Sequence, residues 1–254
     1  MDRMEQRRIV WITGGGTGIG RALALRLAAH GWTVAVSGRR DAALREVVDA
    51  APPGTVHAFP LDVTDLPANR ATVAAIESEL GPIDLAVLNA GQFTPFRAKD
   101  FSVEPFDTTM RVNFMGVVHG IDAILPAMRG RGRGHIALMA SLSGYRGLPL
   151  GGPYSATKAA LINLAESLRF DFDRMGLRVT VINPGFVKTP LTEQNRFHMP
   201  FLIGVEDAAR RIERGLESGR FEIAFPLRFV LLLKLFRMLP YRLYFPVMRM
   251  FSGR

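Results

Sequence analysis

From Arg8 onward, short continuous apolar runs alternate with stretches whose apolar residues recur every three to four positions. Arg8 to Ile12 reads as a buried strand. After a cluster of glycines, Ile19, Leu23 and Leu27 fall at helical spacing, with Arg21 and Arg26 free to face water. The alternation repeats as a strand over Thr33 to Ser37, a helix over Asp41 to Ala50 and a strand over Thr55 to Leu61. Thr64-Asp65-Leu66-Pro67 then supplies a capping residue and a first-turn proline for a helix that closes at Leu80-Gly81-Pro82, before a fourth strand over Ile83 to Leu88. Strands separated by helices predict an α/β, doubly wound parallel sheet covered on both faces, with ligands outside the carboxyl ends of the strands. Asp107 to Met128 reads as a long helix ending near Pro126. Leu161, Leu164, Ala165, Leu168 and Phe172 form one helical stripe, which is core or subunit interface.

Composition narrows the chemistry. The 254 residues are 48% apolar and 22% charged, which suits one globular domain and excludes disorder as the dominant state. No cysteine is present, so thiol catalysis, disulfides and Cys-ligated zinc are excluded. His30, His57, His119, His135 and His198 show no metal-ligand spacing, and no metal is expected. Met1 to Arg8 is charged and leads directly into the first strand, so no signal peptide is expected and the location expected is the cytoplasm. The net charge of +9 calls for an anionic partner: a phosphorylated cofactor, an acidic carrier protein, an anionic membrane or nucleic acid. Arg129-Gly130-Arg131-Gly132-Arg133-Gly134 lacks interleaved aromatics and reads as a solvated turn, which argues against nucleic acid.

Candidate chemistry sits at the ends of the predicted strands. Thr13-Gly14-Gly15-Gly16-Thr17-Gly18-Ile19-Gly20 joins strand to helix, where glycines let a backbone approach a pyrophosphate and the helix N-terminus offers free N–H groups. The second strand ends at Gly38-Arg39-Arg40 with no acid to hold a ribose 2′-hydroxyl. Two arginines there suit a 2′-phosphate, hence NADP(H), unless they merely begin the following surface helix. Asp62-Val63 ends the third strand, within reach of an adenine. Tyr154 and Lys158 lie one helical turn apart after Pro153. A phenol titrates near about 10, and a fixed ammonium beside it favours the phenolate, so the pair is suited to proton transfer. Lysine occurs only at Lys99, Lys158, Lys188 and Lys234, which makes one beside a tyrosine more telling than an arginine would be.

Together these motifs resemble the short-chain dehydrogenase/reductase family in its compact form, over residues 8 to about 190. Thr13-Gly14-x-x-x-Gly18-Ile19-Gly20 is similar to the family's cofactor loop, Asn89-Ala90-Gly91 to its turn after the fourth strand, and Tyr154-x-x-x-Lys158 to its catalytic pair. Ser141, thirteen residues before Tyr154, resembles the catalytic serine, with Ser143 a competitor; Asn113 resembles the helix asparagine. Asn183-Pro184-Gly185-Phe186-Val187-Lys188-Thr189 resembles the segment along the nicotinamide. Leu88 replaces the Asn often found before Asn89, and no basic residue sits in the glycine loop. The resemblance implies a Rossmann-like fold over residues 1–225 and a homo-oligomer, dimer or tetramer. It implies catalytic roles for Asn113, Ser141, Tyr154 and Lys158, with Asn113 holding a water that resupplies protons through Lys158. Cofactor contacts are implied at Gly14, Gly16, Thr17, Gly18, Ile19, Gly20, Arg39, Arg40, Asp62, Val63, Asn89, Ala90, Gly91, Tyr154, Lys158, Pro184, Gly185, Val187 and Thr189.

Large apolar residues near the expected carbonyl site, Phe93, Phe96, Tyr145, Leu148, Phe186, Phe197, Met199 and Phe201, argue for a hydrophobic ketone or aldehyde: fatty, acyl, steroid-like or retinoid-like. From Phe221 on, six cations face one carboxylate, giving +5 of the chain's +9 among bulky apolar residues. Residues 226–254 read as an amphipathic segment packed on the same domain, which serves as a lid, an oligomer contact or a peripheral membrane helix. The reading is an NADP(H)-dependent oxidoreductase acting on C=O or CH-OH groups. Reduction of 3-oxoacyl chains on an acyl-carrier protein is the alternative within enzymes, and a non-catalytic NADP-binding, membrane-associated interaction protein is the alternative outside them.

Overall fold

The apolar runs become seven strands of one sheet. In the computed structural model, which describes residues 8–193 and 199–252, these are β1 (Arg8–Thr13), β2 (Trp32–Gly38), β3 (Val56–Pro60), β4 (Leu85–Leu88), β5 (Gly134–Met139), β6 (Leu177–Pro184) and β7 (Glu222–Phe225). Phe197, His198 and Arg254 lie outside the described residues. The sheet order is β3-β2-β1-β4-β5-β6-β7, with every neighbouring pair parallel. The connecting helices are α1 (Gly18–Ala29), α2 (Asp41–Asp49), α3 (Leu66–Glu79), α4 (Glu104–Met110), α5 (Gly116–Arg131), α6 (Gly152–Arg174) and α7 (Val205–Glu217). Two further helices, α8 (Leu227–Met238) and α9 (Tyr241–Ser252), follow β7.

The pleat of β1 explains the two-sided core. Ile9 and Trp11 point into one apolar layer with α3, α5, α6 and the inner face of α8; Val10 and Ile12 point into the other, with α1, α2 and α7. Trp11 is fully buried because its indole N–H donates to Ser37 Oγ at 3.0 Å, which satisfies the one polar atom it carries.

Three local expectations are corrected by tertiary contacts. Arg26 does not simply face water: its Nε lies 2.5 Å from the carboxylate of buried Glu213, which also takes a contact from His30, tying α1 to α7. The helix expected to end near Pro126 continues to Arg131. Pro126 is exposed, so the carbonyl it cannot serve, that of Asp122, lies on the watery side. The left-handed Gly132 (φ 63°) closes the helix instead. The basic run from Arg129 to Gly134 is therefore partly helical, and Arg131 is bound to Glu77 at 2.8 Å and to the Ile83 carbonyl at 3.0 Å.

Between α4 and α5 the helix widens into a π turn over Arg111–Met115, with Asn113 buried at its centre. Such turns interrupt the regular ladder and re-aim one side chain.

The sheet's order reverses between β1 and β4, and there the two loops leaving the sheet are joined. Thr13 Oγ1 accepts from the backbone N–H groups of Asn89 (3.0 Å) and Ala90 (3.1 Å). The Asn89 amide donates back to the carbonyls of Thr13 (2.9 Å) and Gly14 (3.2 Å). Asn89→Ala should leave both carbonyls short of a partner and cost about 1–3 kcal/mol of stability, measured by urea unfolding. An unchanged midpoint and slope would refute the clamp.

Candidate active site

The glycine loop folds so tightly that side chains are excluded. Gly14 has φ +66°, and a Cβ there would stand 2.8 Å from the Ala90 Cα; a Cβ on Gly20 would stand 2.3 Å from the Gly14 carbonyl oxygen. Thr17 caps α1 without a side-chain hydrogen bond, and no acid occupies the first turn, so the helix opens with a positive, donor-rich end. The cradle fits the pyrophosphate of a dinucleotide: donors, helix polarity and close backbone approach coincide.

Two clefts meet over this loop. One, of about 390 Å³, runs past Gly16, Leu44, Asp62, Val63 and Val112; the other, of about 440 Å³, runs past Ser141, Tyr154, Lys158, Gly185, Val187 and Thr189. Gly14, Thr17, Arg39, Arg40, Ala90 and Gly91 line both, so the two form one trough along the carboxyl edge of the sheet. Arg39 and Arg40 are exposed at its rim. The Asp62 carboxyl is held below its usual range, first by the Thr64 backbone N–H, then against burial by the Thr64 hydroxyl and the Arg39 charge. Gly18 and Ile19 line the second cleft, as do Asn89 and Pro184, while Gly20 stands behind the loop as its packing limit.

At the far end of the trough, α6 carries Tyr154 and Lys158 on one face. Lys158 Nζ lies 5.4 Å from the Tyr154 ring centroid and donates to the Met139 carbonyl at 2.6 Å, which anchors α6 to the end of β5. The expected lowering of the Tyr154 pKa is absent from the protein's own groups. Burial pushes the phenol up to about 12, with only the hydrogen bond to Ser141 pulling it down. Burial also pushes the Lys158 ammonium down to about 7. Desolvation outweighs the proximity that the one-turn spacing provides.

Ser141 sits at the mouth of the 3₁₀ turn Leu142–Gly144. Its Oγ accepts from the Ser143 hydroxyl at 2.8 Å and the Ser143 N–H at 3.2 Å. The competing serine thus orients Ser141 rather than replacing it. Asn113 is tied to its neighbours: its Oδ1 accepts from the Gln92 N–H at 2.8 Å and its Nδ2 donates to the Gln92 carbonyl at 2.9 Å and Thr157 Oγ1 at 3.3 Å. The side chain therefore fixes the loop beyond Gly91 against α6.

The apolar residues expected around a carbonyl separate. Phe93 packs edge-on against Tyr154, with ring centroids 5.5 Å apart. Phe186 and Phe201 each approach Phe229 of α8 at 5.7 Å. Phe96 instead joins Phe101 and Phe106, and Tyr145 is buried with its hydroxyl donated to Glu222.

Residues 8–199 match the model of the short chain dehydrogenase family. The chain belongs to the short-chain dehydrogenase family. An oxidoreductase of Myxococcus xanthus (strain DK1622) is 39% identical over 235 residues, covering 92% of this chain and 93% of its own. A short-chain dehydrogenase/reductase from Burkholderia phymatum, solved in complex with NAD, is 25% identical with a TM-score of 0.82, covering 90% and 92%. The closed form of a serine dehydrogenase complexed with NADP+ is 28% identical with a TM-score of 0.78, covering 87% and 95%. The family binds nicotinamide cofactors, and its oxidoreductase chemistry is the chain's own class.

Several residues of this short-chain dehydrogenase site carry no sequence signal of their own. Gln92 matters through its backbone, and Leu44 and Val112 enter the trough from α2 and the π turn. Thr192 was detectable, since a Thr three residues after Thr189 can close a hydroxyl turn; its Oγ1 accepts from the Thr189 N–H at 2.9 Å and donates to the Val187 carbonyl at 2.7 Å. Glu222 gathers three donors from distant segments: Tyr145, Asn183 (3.0 Å) and Lys234 (2.5 Å). Burial pushes its carboxyl up, and the bonds from Lys234, Tyr145 and Asn183 outweigh this and hold it below its usual range.

Lys158 gives a pH test. Its folded value is about 7 against 10.5 for the free group, so between these the unfolded chain binds more protons. Stability should then rise with pH through that window and be flat, as far as Lys158 is concerned, below it. Urea unfolding of the protein without added nucleotide at pH 7 and 9 should show this rise, and Lys158→Met should remove it; equal pH responses would refute the buried-lysine reading.

Proposed function

We propose that the protein is an NADP(H)-dependent oxidoreductase that interconverts the carbonyl and alcohol of a hydrophobic substrate. The observation that carries the reading is the trough itself. Where its two halves join, two arginines stand with no carboxylate closing β2, and at one end Ser141, Tyr154 and Lys158 converge beside Phe93 and Gly185. Gly14, Gly16, Thr17 and the first turn of α1 would hold the pyrophosphate, Arg39 and Arg40 the 2′-phosphate, Asp62 and Val63 the adenine. Ala90, Gly91, Pro184, Gly185, Val187 and Thr189 would line the nicotinamide half. A seated nicotinamide dinucleotide supplies hydride exchange with a carbonyl carbon.

The chain's residues do the rest. Negative charge develops on the substrate oxygen during reduction, and the Ser141 hydroxyl, oriented by Ser143, donates a hydrogen bond to it. Tyr154 gives that oxygen its proton from the phenol hydroxyl. A phenol pushed up to about 12 holds its proton firmly, so its transfer depends on Lys158 being charged when the phenolate forms. Asn113 acts by holding the Gln92 backbone and the start of α6 in place. The same reading includes a homo-oligomer through α5 and α6, where Phe170 of α6 stands 71% exposed. The net charge of +9 favours a second substrate form, a 3-oxoacyl chain carried on an acidic protein.

Oxidation of NADPH and NADH against ketones and aldehydes of increasing alkyl length tests the reading. NADPH should be preferred, and Arg39→Ala with Arg40→Ala should cut that preference by about tenfold or more, one charge-assisted contact being worth that much. An unchanged preference would sink the arginine assignment. Tyr154→Phe should lower turnover by about a hundredfold or more while NADPH binding survives. Turnover retained in that variant would refute the proton-donor role.

A further inference from the structure

Helices α8 and α9 carry an apolar face that the sheet does not use. α8 buries Phe229, Val230 and Leu233 against the core. Leu227, Leu231, Leu235 and Met238 follow one another down the opposite side at helical steps of four, four and three, between 53% and 76% exposed. α9 buries Tyr244 and leaves Tyr241, Leu243, Phe245 and Met250 exposed, the rings of Tyr241 and Phe245 stacked at 5.7 Å. Exposed Arg228, Arg237 and Arg242 border this surface, and after Glu222 the sequence contains no carboxylate side chain.

We propose that the outer face of α8 and α9 is a docking surface for an anionic lipid bilayer. Charge selects this occupant over a second copy of the chain. A twofold contact would bring the patch against itself, cation against cation, with no acidic side chain from either segment to relieve it. A bilayer rich in anionic headgroups supplies the missing charge and takes up the leucine stripe. Length selects the geometry. Each helix has 12 residues, about 18 Å at the α-helical rise, short of a hydrocarbon core of about 30 Å. Among the described residues no helix is long and apolar enough to cross a membrane. The pair therefore lies along the interface with its apolar side down.

The location gives the docking a purpose. Phe229, on the inner face of α8, meets Phe186 and Phe201 just beyond Gly185, and a Cβ on Gly185 would touch Phe229 at 3.0 Å. A bilayer against α8 thus lies beside the apolar approach to the trough, where a hydrophobic carbonyl could enter from the lipid. That purpose rests on the proposed substrate class, whereas the docking does not.

Vesicle flotation of the full chain tests the surface, with phosphatidylcholine alone compared with phosphatidylcholine plus phosphatidylglycerol. Binding to the anionic vesicles should exceed that to neutral ones by about tenfold and weaken as salt is raised. Leu231→Glu with Leu235→Glu, both on the exposed stripe, should abolish flotation while circular dichroism and thermal unfolding stay unchanged. Arg228→Gln with Arg242→Gln should reduce the anionic preference several-fold and leaves the apolar stripe intact, so it reads the charge argument even if the glutamates disturb folding. No flotation with anionic vesicles, or flotation indifferent to both double variants, overturns the proposal. A concentration-dependent dimer that the glutamate variant dissolves, without flotation, also overturns it and assigns the face to a second copy.

Discussion

The joint between Thr13 and Asn89 is the constraint on which the site depends. β1 and β4 are neighbours whose following chains must turn to opposite faces of the sheet, so a crevice opens between them. Left alone, the carbonyls at that split would lack partners in a region walled by buried residues. The Asn89 amide donates to them, and the Thr13 hydroxyl accepts from the Asn89 and Ala90 N–H groups, drawing the two loops to a fixed separation. That separation leaves no room for a Cβ at Gly14 or Gly20, and it aims the open end of α1 into the crevice. Asn113 extends the same device along the strand exit by holding both backbone groups of Gln92, so the floor of the trough is hydrogen-bonded from Thr13 to α6.

Legibility followed the range of the interaction. Strands and helices were visible because their periods are local, and Tyr154 and Lys158 could be paired because one helical turn fixes their spacing. The glycine loop was legible for the same reason, since its tight turns demand the residue without a side chain. Pro126 misled because a local breaker is harmless where the freed carbonyl faces water. Arg26 misled because its partner, Glu213, lies 187 residues away. The lysine's effect on the phenol was also beyond sequence: adjacency was readable, while the burial that reverses its electrostatic benefit belongs to the packed protein.

Long-range contacts also set the loop that follows Ser141. Arg146 donates to the carbonyls of Phe236 (2.5 Å) and Leu239 (2.7 Å) at the end of α8, and its guanidinium lies 3.8 Å from the Tyr244 ring centroid. A cation at a helix C-terminus satisfies carbonyls that have no intrahelical donor. Tyr244 answers by donating to the Gly147 carbonyl at 2.5 Å. Glu222 makes a second tie, joining Tyr145 of that loop to Asn183 near the end of β6 and to Lys234 of α8.

These ties mean that α8 and α9 help to hold the loop that follows Ser141. Displacing them would strip acceptors from Arg146 and one donor, Lys234, from Glu222 at once, and each lost partner in a half-buried setting costs more than the bond gained on folding. The loop bearing Ser141 therefore has its lowest energy with the C-terminal helices seated, and their outer leucines are held at the surface by contacts made on the inner side. An exposed apolar stripe normally relaxes by turning inward. Here it cannot turn without breaking the polar network beside the trough, so the stripe and the site are maintained by the same bonds.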